Sequence, residues 1–181
     1  IATGSKPKSH PVGGADGPGV CNVWQVLDQQ LEVGQNVCLI DYDGHHRATA
    51  TAEYLADQGK TVHIICSSLF IGAELGPTQD LYLTRQRLLQ KGVTFTPDIA
   101  VMEVSGEIGE KTIKGFNVYN NVWGEWGGYD SVVLAMGQAA DEDLYYALKG
   151  KVKELHRIGD CVAPRKVDMA IWEGHELGRT I

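Results

Sequence analysis

The apolar positions of this 181-residue chain come in two rhythms. Short continuous runs, "NVCLIDY" (36–42), "TVHIIC" (61–66) and "YDSVVLAMG" (129–137), read as strands buried on both faces. Between the first two, "ATATAEYLADQG" (48–59) has small and apolar residues at helical spacing and closes on Gly59 at the position after the last turn. Strand, helix and strand together occupy about 30 residues, the length of a parallel crossover. Strict alternation takes over in "VTFTPDIAVMEVSGEIGEKTIKGFNVYNNVWGEW" (93–126), which reads as three or four antiparallel strands between turn signals. Helical spacing also predicts a short helix in "CNVWQVLDQQ" (21–30), ended by the turn "LEVGQ", and a longer one in "TQDLYLTRQRLLQKG" (78–92), closed by Gly92. "EDLYYALKG" reads as a short helix, "VKELHRIGDC" (152–161) as a last strand and "APRKVDMAIWEGHELGRTI" as a last helix. Residues 5–19, rich in Gly, Pro and Ser and including His10, read as an irregular crossing segment. No repeat of 20–50 residues is present, but "IATGS" and "VLAMGQ" match as strand ends.

Composition narrows the class. Hydrophobic residues make up 43% and charged residues 22%, an ordinary globular balance. The 22 glycines call for many tight loops. A net charge of −7 without long runs of either sign is wrong for nucleic acid or an anionic membrane. No apolar run approaches the roughly 20 residues of a membrane span. Cys21, Cys38, Cys66 and Cys161 are scattered, with no C-x-x-C spacing, so no metal site is assigned; Cys38 and Cys66, within apolar runs, read as buried reduced thiols, and the protein as cytoplasmic. The chain opens on Ile1, and "IATGSKP" looks like the end of a strand begun elsewhere, so a piece of a longer protein is expected.

The first crossover is the candidate nucleotide site. A dinucleotide loop, G-x-G-x-x-G, uses its glycines for a tight turn, for close approach of backbone to pyrophosphate and for helix–strand packing. The phosphates then rest on the helix N-terminus. Counting back from Gly59 places the six positions on Asp43, Gly44, His45, His46, Arg47 and Ala48. Ala48 is a tolerated replacement for the third glycine. Asp43, in place of the first, turns a carboxylate towards phosphate, and His45, in place of the second, fills the space pyrophosphate needs. Cys66 and Ser67 stand where an acidic residue would hold an adenosine ribose. Two readings follow. Either His45, His46 and Arg47 supply positive charge to a phosphate, or the fold remains while the site does not; the missing glycines weigh towards the second.

The paired strand ends, the loop segment "DYDGHHRATATAEYLADQGKTV" and above all "GDCVAPRKVDMAIWEGH" (159–175) carry a resemblance over nearly the whole chain. It resembles the C-terminal region of old-yellow-enzyme-related flavoproteins: trimethylamine, dimethylamine and histamine dehydrogenases and 2,4-dienoyl-CoA reductase. The amine-dehydrogenase side, where the pyridine-nucleotide loop is eroded, is the more similar. The resemblance implies an α/β, Rossmann-like FAD/NAD(P)-binding fold, with a central parallel sheet and an antiparallel three-stranded layer. It implies an inserted NAD(P)-like domain at 21–132, with 1–20 and 133–181 as connecting and closing parts of an FAD-like domain. It further implies an N-terminal TIM barrel with FMN and a 4Fe-4S cluster, outside these residues. Ala2, Thr3 and Gly4 match the strand end that passes the nucleotide in the FAD-like domain. Ala135 and Gly137, with Met136 between, match its counterpart. Gly159 and Asp160 match the Gly-Asp pair that meets the flavin ribityl–pyrophosphate region. On their residues alone, Asp160 reads equally as a turn or helix cap.

These residues, with Asp43, Gly44, His45 and His46, form the candidate cofactor-binding set, for ADP, FAD or NAD(P)H; no catalytic residue is assigned. The expected function is the dinucleotide-binding-like region of a flavin-dependent oxidoreductase passing electrons to an electron-transfer flavoprotein, in a homo-oligomeric assembly with its barrel. The alternatives are a working NAD(P)H-dependent reductase and a non-catalytic docking module. His63, His156 and His175 read as surface or satisfied core residues. Trp123, Trp126 and Tyr129 read as a hairpin packing on a domain face before a docking surface. Arg85, Arg87 and Lys91 read as a solvated helix face.

Overall fold

A computed structural model describes residues 1–9 and 11–181; His10, placed by the sequence in the irregular segment, lies outside the described residues. The chain forms two compact units: Ser9–Met136, and Ile1–Lys8 with Gly137–Ile181.

The larger unit is built on five parallel strands. In chain order they are β2 (Val20–Asn22), β3 (Asn36–Asp41), β4 (Thr61–Cys66), β5 (Thr94–Thr96) and β9 (Ser131–Ala135). In space the order is β2-β9-β3-β4-β5, so the chain leaves β3 to one side and returns as β9 on the other. Side chains of β3 and β9 alternate between two cores, as period two requires. Val37, Leu39, Val133 and Ala135 join the core that contains Ala48, Ala52 and Leu55, and Cys38, Ile40, Val132 and Leu134 join the other. The first core is covered by α1 (Val23–Leu27), α2 (His46–Asp57) and α3 (Leu81–Gln90). The second lies against a three-stranded antiparallel sheet of β6 (Ile99–Ser105), β7 (Lys111–Asn117) and β8 (Trp123–Tyr129).

Polar groups fasten the layers. His63 on β4 hydrogen-bonds through Nδ1 to the Tyr129 hydroxyl and through Nε2 to Thr96 Oγ1 at 2.8 Å. The Tyr42 hydroxyl accepts from Val101 N–H at 2.6 Å and donates to its carbonyl at 3.2 Å. Arg87 and Lys91 pair with Glu53 on α2, and Lys91 also with Asp57, so two of the three cations read as a solvated face tie α3 to its neighbour. Arg85 instead stacks over Phe95, 5.2 Å from the ring centroid. Trp126 and Tyr129 pack on the second core, while Trp123 stays 63% exposed beside Phe116.

The smaller unit pairs β1 (Ser5–Pro7) with β10 (Gln138–Ala140) antiparallel and adds α4 (Asp143–Leu148) and α5 (Val167–Gly178). No residue of α5 is buried, and Val167, Ile171 and Trp172 are exposed.

Several expectations are corrected. Thr94–Thr96 joins the parallel sheet, because Val93 anchors in the helix-side core and carries the next residues alongside β4. Residues 152–161 form no strand; Gly159–Cys161 is a 3₁₀ turn. The first helix shrinks to Val23–Leu27, since Cys21 is taken into β2 and Asn22 caps the helix through a reciprocal Asn22–Gln25 capping box. Residues 5–19 are not wholly irregular, because 5–7 pair with 138–140. The second helix starts two residues earlier than its small-residue run, at His46.

Two outcomes follow. Leu39→Ala, fully buried between β3 and the helices, is expected to cost about 2–5 kcal/mol in urea unfolding. Burial pushes the His63 pKa down, so the unfolded chain takes the proton first as pH falls. The stability from neutral His63 is present above about pH 6.5 and is lost below it. Melting temperatures at pH 7.5 and 5.5 should therefore show a smaller acid-induced drop for His63→Gln than for the parent.

Candidate functional site

In an open parallel sheet, ligands bind outside the carboxyl ends of the strands, where the strand order reverses. Here that place lies between β3 and β9, at the loop 42–45. Asp41 faces Ala135 across the ladder, and Tyr42 N–H donates to the Ala135 carbonyl at 2.9 Å. Ala135 and the loop are thus brought together within the larger unit.

Asp41, which the sequence reading passed over, organises the turn. Its Oδ1 accepts from Asp43 N–H at 3.0 Å and Gly44 N–H at 2.8 Å. The only signal was an Asp closing an apolar strand two residues before Asp-Gly, the pattern of an Asx turn. Gly44 takes a positive φ of 68°, and a Cβ there would lie 3.3 Å from Glu74 Cγ. Its carbonyl accepts from Glu74 N–H. Asp41 is 2% exposed, and among the described residues its Oδ2 has no hydrogen-bond partner. Burial raises its pKa to about 6, against the pull of the two amides.

Of the remaining loop groups, Arg47 pairs with Asp43 and His46 with Asp80. Arg47 grips Asp43 from Nη2 at 2.8 Å and Nε at 3.2 Å, and its guanidinium lies 5.2 Å from the centre of the Trp24 ring. His46 Nε2 meets Asp80 Oδ2 at 3.2 Å. His45 occupies the N-cap position in extended conformation with no side-chain cap, and α2 has no acidic residue in its first turn. Ala48 is fully buried against the sheet, as its place in the loop pattern requires. Cys66 is buried, donates to the Ser68 carbonyl and has its thiol pushed up to about 11, chiefly by burial. Asp80, Trp24 and Glu74 carried no local signal, because each reaches the loop only through the fold.

The other candidate residues lie in the smaller unit. Ile1 pairs with the 156–158 segment through its amino group to the His156 carbonyl and its carbonyl to Ile158 N–H. Thr3 Oγ1 donates to the Asp141 carbonyl at 2.7 Å, and Gly4, with φ 80°, has open space where a Cβ would stand. Gly137 accepts from Lys8 N–H. Gly159, with φ 70°, donates its N–H to Glu173 Oε2 at 2.7 Å. That bond, followed by Arg165, holds the Glu173 carboxyl below its ordinary value. Asp160 Oδ1 accepts from Arg165 N–H at 3.2 Å, which is the turn-capping role. Among the described residues no group of three or more His, Cys, Asp or Glu side chains is placed to hold a metal.

No protein-family profile matches the chain. It is 30% identical over 184 residues to N,N-dimethylglycine/sarcosine dehydrogenase of Chromohalobacter salexigens, an alignment covering 85% of this chain and 26% of that protein. It superposes on 2-naphthoyl-CoA reductase in complex with 2-naphthoyl-CoA with a TM-score of 0.87 at 27% identity, covering 100% of this chain and 26% of that one. Thioredoxin reductase of Lactococcus lactis shares the fold, with a TM-score of 0.74 at 19% identity, covering 99% of this chain and 63% of that one. The chain spans 26–30% of the length of the curated relatives it matches. The resemblance to the amine-dehydrogenase and enoyl-reductase group holds, and the fold is the Rossmann-like FAD/NAD(P)-binding fold with an antiparallel three-stranded layer.

Asp41 gives a signed prediction. Its raised pKa favours the neutral form in the fold, so its contribution is full below about pH 4 and is lost as pH rises through about 6. Asp41→Asn keeps an oxygen for the two amides and cannot ionise. Thermal melts from pH 4 to 8 should show a flatter profile and a higher melting temperature at pH 8 than the parent.

Proposed function

We propose that this chain is the dinucleotide-binding-like region of a larger flavin-dependent oxidoreductase, one that oxidises or demethylates an amine and hands electrons to an electron-transfer protein, not to NAD. One observation carries the reading. In the loop that would hold a pyridine-nucleotide pyrophosphate, the Asp43 and Gly44 amides are taken by Asp41 and the Arg47 cation by Asp43. The residues present do not fit a bound dinucleotide phosphate there, because Asp43 sets a carboxylate where that anion would come. The similarity to N,N-dimethylglycine/sarcosine dehydrogenase supports the amine as substrate class.

In this reading, residues 21–132 are the inserted NAD(P)-like domain and 1–20 with 133–181 belong to an FAD-like domain. FMN and a 4Fe-4S cluster belong to an N-terminal barrel, and none of the chemistry is assigned to these 181 residues. Ala2–Gly4 and Gly159–Asp160 would line an ADP or flavin-like nucleotide. Gly4 leaves room beside the backbone, and Asp160 Oδ2 has no protein partner among the described residues and would accept from a ribose or ribityl hydroxyl. The exposed apolar side of α5, with Ile171 and Trp172, supports a contact with the rest of the enzyme. One observation favours the second reading, a working NAD(P)H-dependent reductase: α2 begins without a side-chain cap, as phosphate-binding helices do.

Calorimetric titration of the intact enzyme with NADH, NADPH and ADP separates the two. Binding of ADP alone, unchanged by His45→Gly, is the expected result. Micromolar NADH binding that His45→Gly alters would replace this reading with the reductase.

A further inference from the structure

The start of α2 has the parts of an anion site, each turned inward. The helix has neither a side-chain cap nor an acidic residue in its first turn, where His46 stands beside the fixed cation of Arg47. Cations at a helix N-terminus are unfavourable against the dipole unless an anion accompanies them. The anion is supplied by the chain. Asp43 precedes the helix, its side chain is 6% exposed, and it holds Arg47 four residues on through two hydrogen bonds. Trp24 backs the guanidinium, so Arg47 is held on two sides. His46 is held by Asp80, and behind the loop the Asp41 carboxyl takes the Asp43 and Gly44 amides.

We propose that Asp43 is the specificity-determining residue of this loop: its carboxylate, paired to Arg47, occupies the place of a dinucleotide phosphate and shuts the site to pyridine nucleotides. This rests on the reading of the loop given under the proposed function and names the group responsible. A free phosphate would have to separate a bidentate, largely buried ion pair and then sit beside the displaced carboxylate. Two like charges at that distance disfavour one another. With Asp43 made neutral, the same Arg47 and the same uncapped helix start face an incoming anion without a competitor. The loop's lack of its first glycine is therefore replaced by something more specific than a missing turn, namely a resident anion.

The test titrates sodium pyrophosphate and NADH by calorimetry into the intact protein and into Asp43→Gly, Asp43→Asn and Asp43→Asn/Arg47→Ala. Asp43→Asn is nearly isosteric and keeps the measurement meaningful if the glycine variant does not fold; melting curves report folding for each. The parent should give no saturable pyrophosphate binding, and the single variants should bind pyrophosphate at least tenfold more tightly. Arg47→Ala should abolish that gain. Folded Asp43 variants that bind no better than a silent parent overturn this assignment and leave the proposed function standing. A gain that survives Arg47→Ala also overturns it. NADH binding by the unmodified protein at this loop overturns the proposed function, and this inference with it.

Discussion

Strand β9 is the constraint on which the larger unit depends. It is the last strand of the sheet along the chain, follows the antiparallel layer in sequence, and lies between β2 and β3. Without it, Val20–Asn22 has no neighbour and β3 lies at an edge. All five of its residues are buried, two facing the helices and two facing the antiparallel sheet, so the same strand closes both cores. Pairing across about a hundred residues carries a large loop-closure cost that only this double burial offsets. The site follows from the same event, because β9 delivers Ala135 to the backbone of Tyr42 and so fixes where β3 ends and the loop begins.

From that point outward the loop is organised by carboxylates where a G-x-G-x-x-G dinucleotide loop uses glycine. Asp41 does by side-chain hydrogen bonds what a tight glycine turn does by backbone freedom. Asp43 supplies Arg47 with a negative partner. Each substitution compensates for the other, since the turn needs acceptors for its amides and the helix start needs a negative partner. Among the described residues, this arrangement leaves one orphan, Oδ2 of Asp41.

Much of this was legible in the sequence. Val37–Ile40, Ile64–Cys66 and Val132–Ala135 are continuous apolar runs, and such runs leave a strand buried on both faces little alternative. Ala48, Ala52 and Leu55 recur at helical spacing, and Gly59 and Gly92 end their helices because only glycine takes the positive φ there without strain. What was illegible depends on distant partners. Thr94–Thr96 alternates like its antiparallel successors and is assigned to the other sheet only by lying beside β4. Residues 152–161 have the apolar character of a strand but spend their hydrogen bonds on Ile1 and on their own turn. In the loop, the sequence showed that three glycines were missing. It did not show that Arg47 would turn back onto Asp43, since an i,i+4 contact at a helix start is chosen only once Trp24 and the sheet have closed the other directions.

The seat of Trp24 under Arg47 has an optical consequence. An indole 5.2 Å from a guanidinium feels a fixed positive charge over its ring, and its emission energy is set in part by that charge. Of the four tryptophans, Trp123 and Trp172 are mostly exposed and Trp126 lies on the second core, so Trp24 alone adjoins the loop. The protein carries at this position an intrinsic fluorophore whose colour reports whether Arg47 is at home.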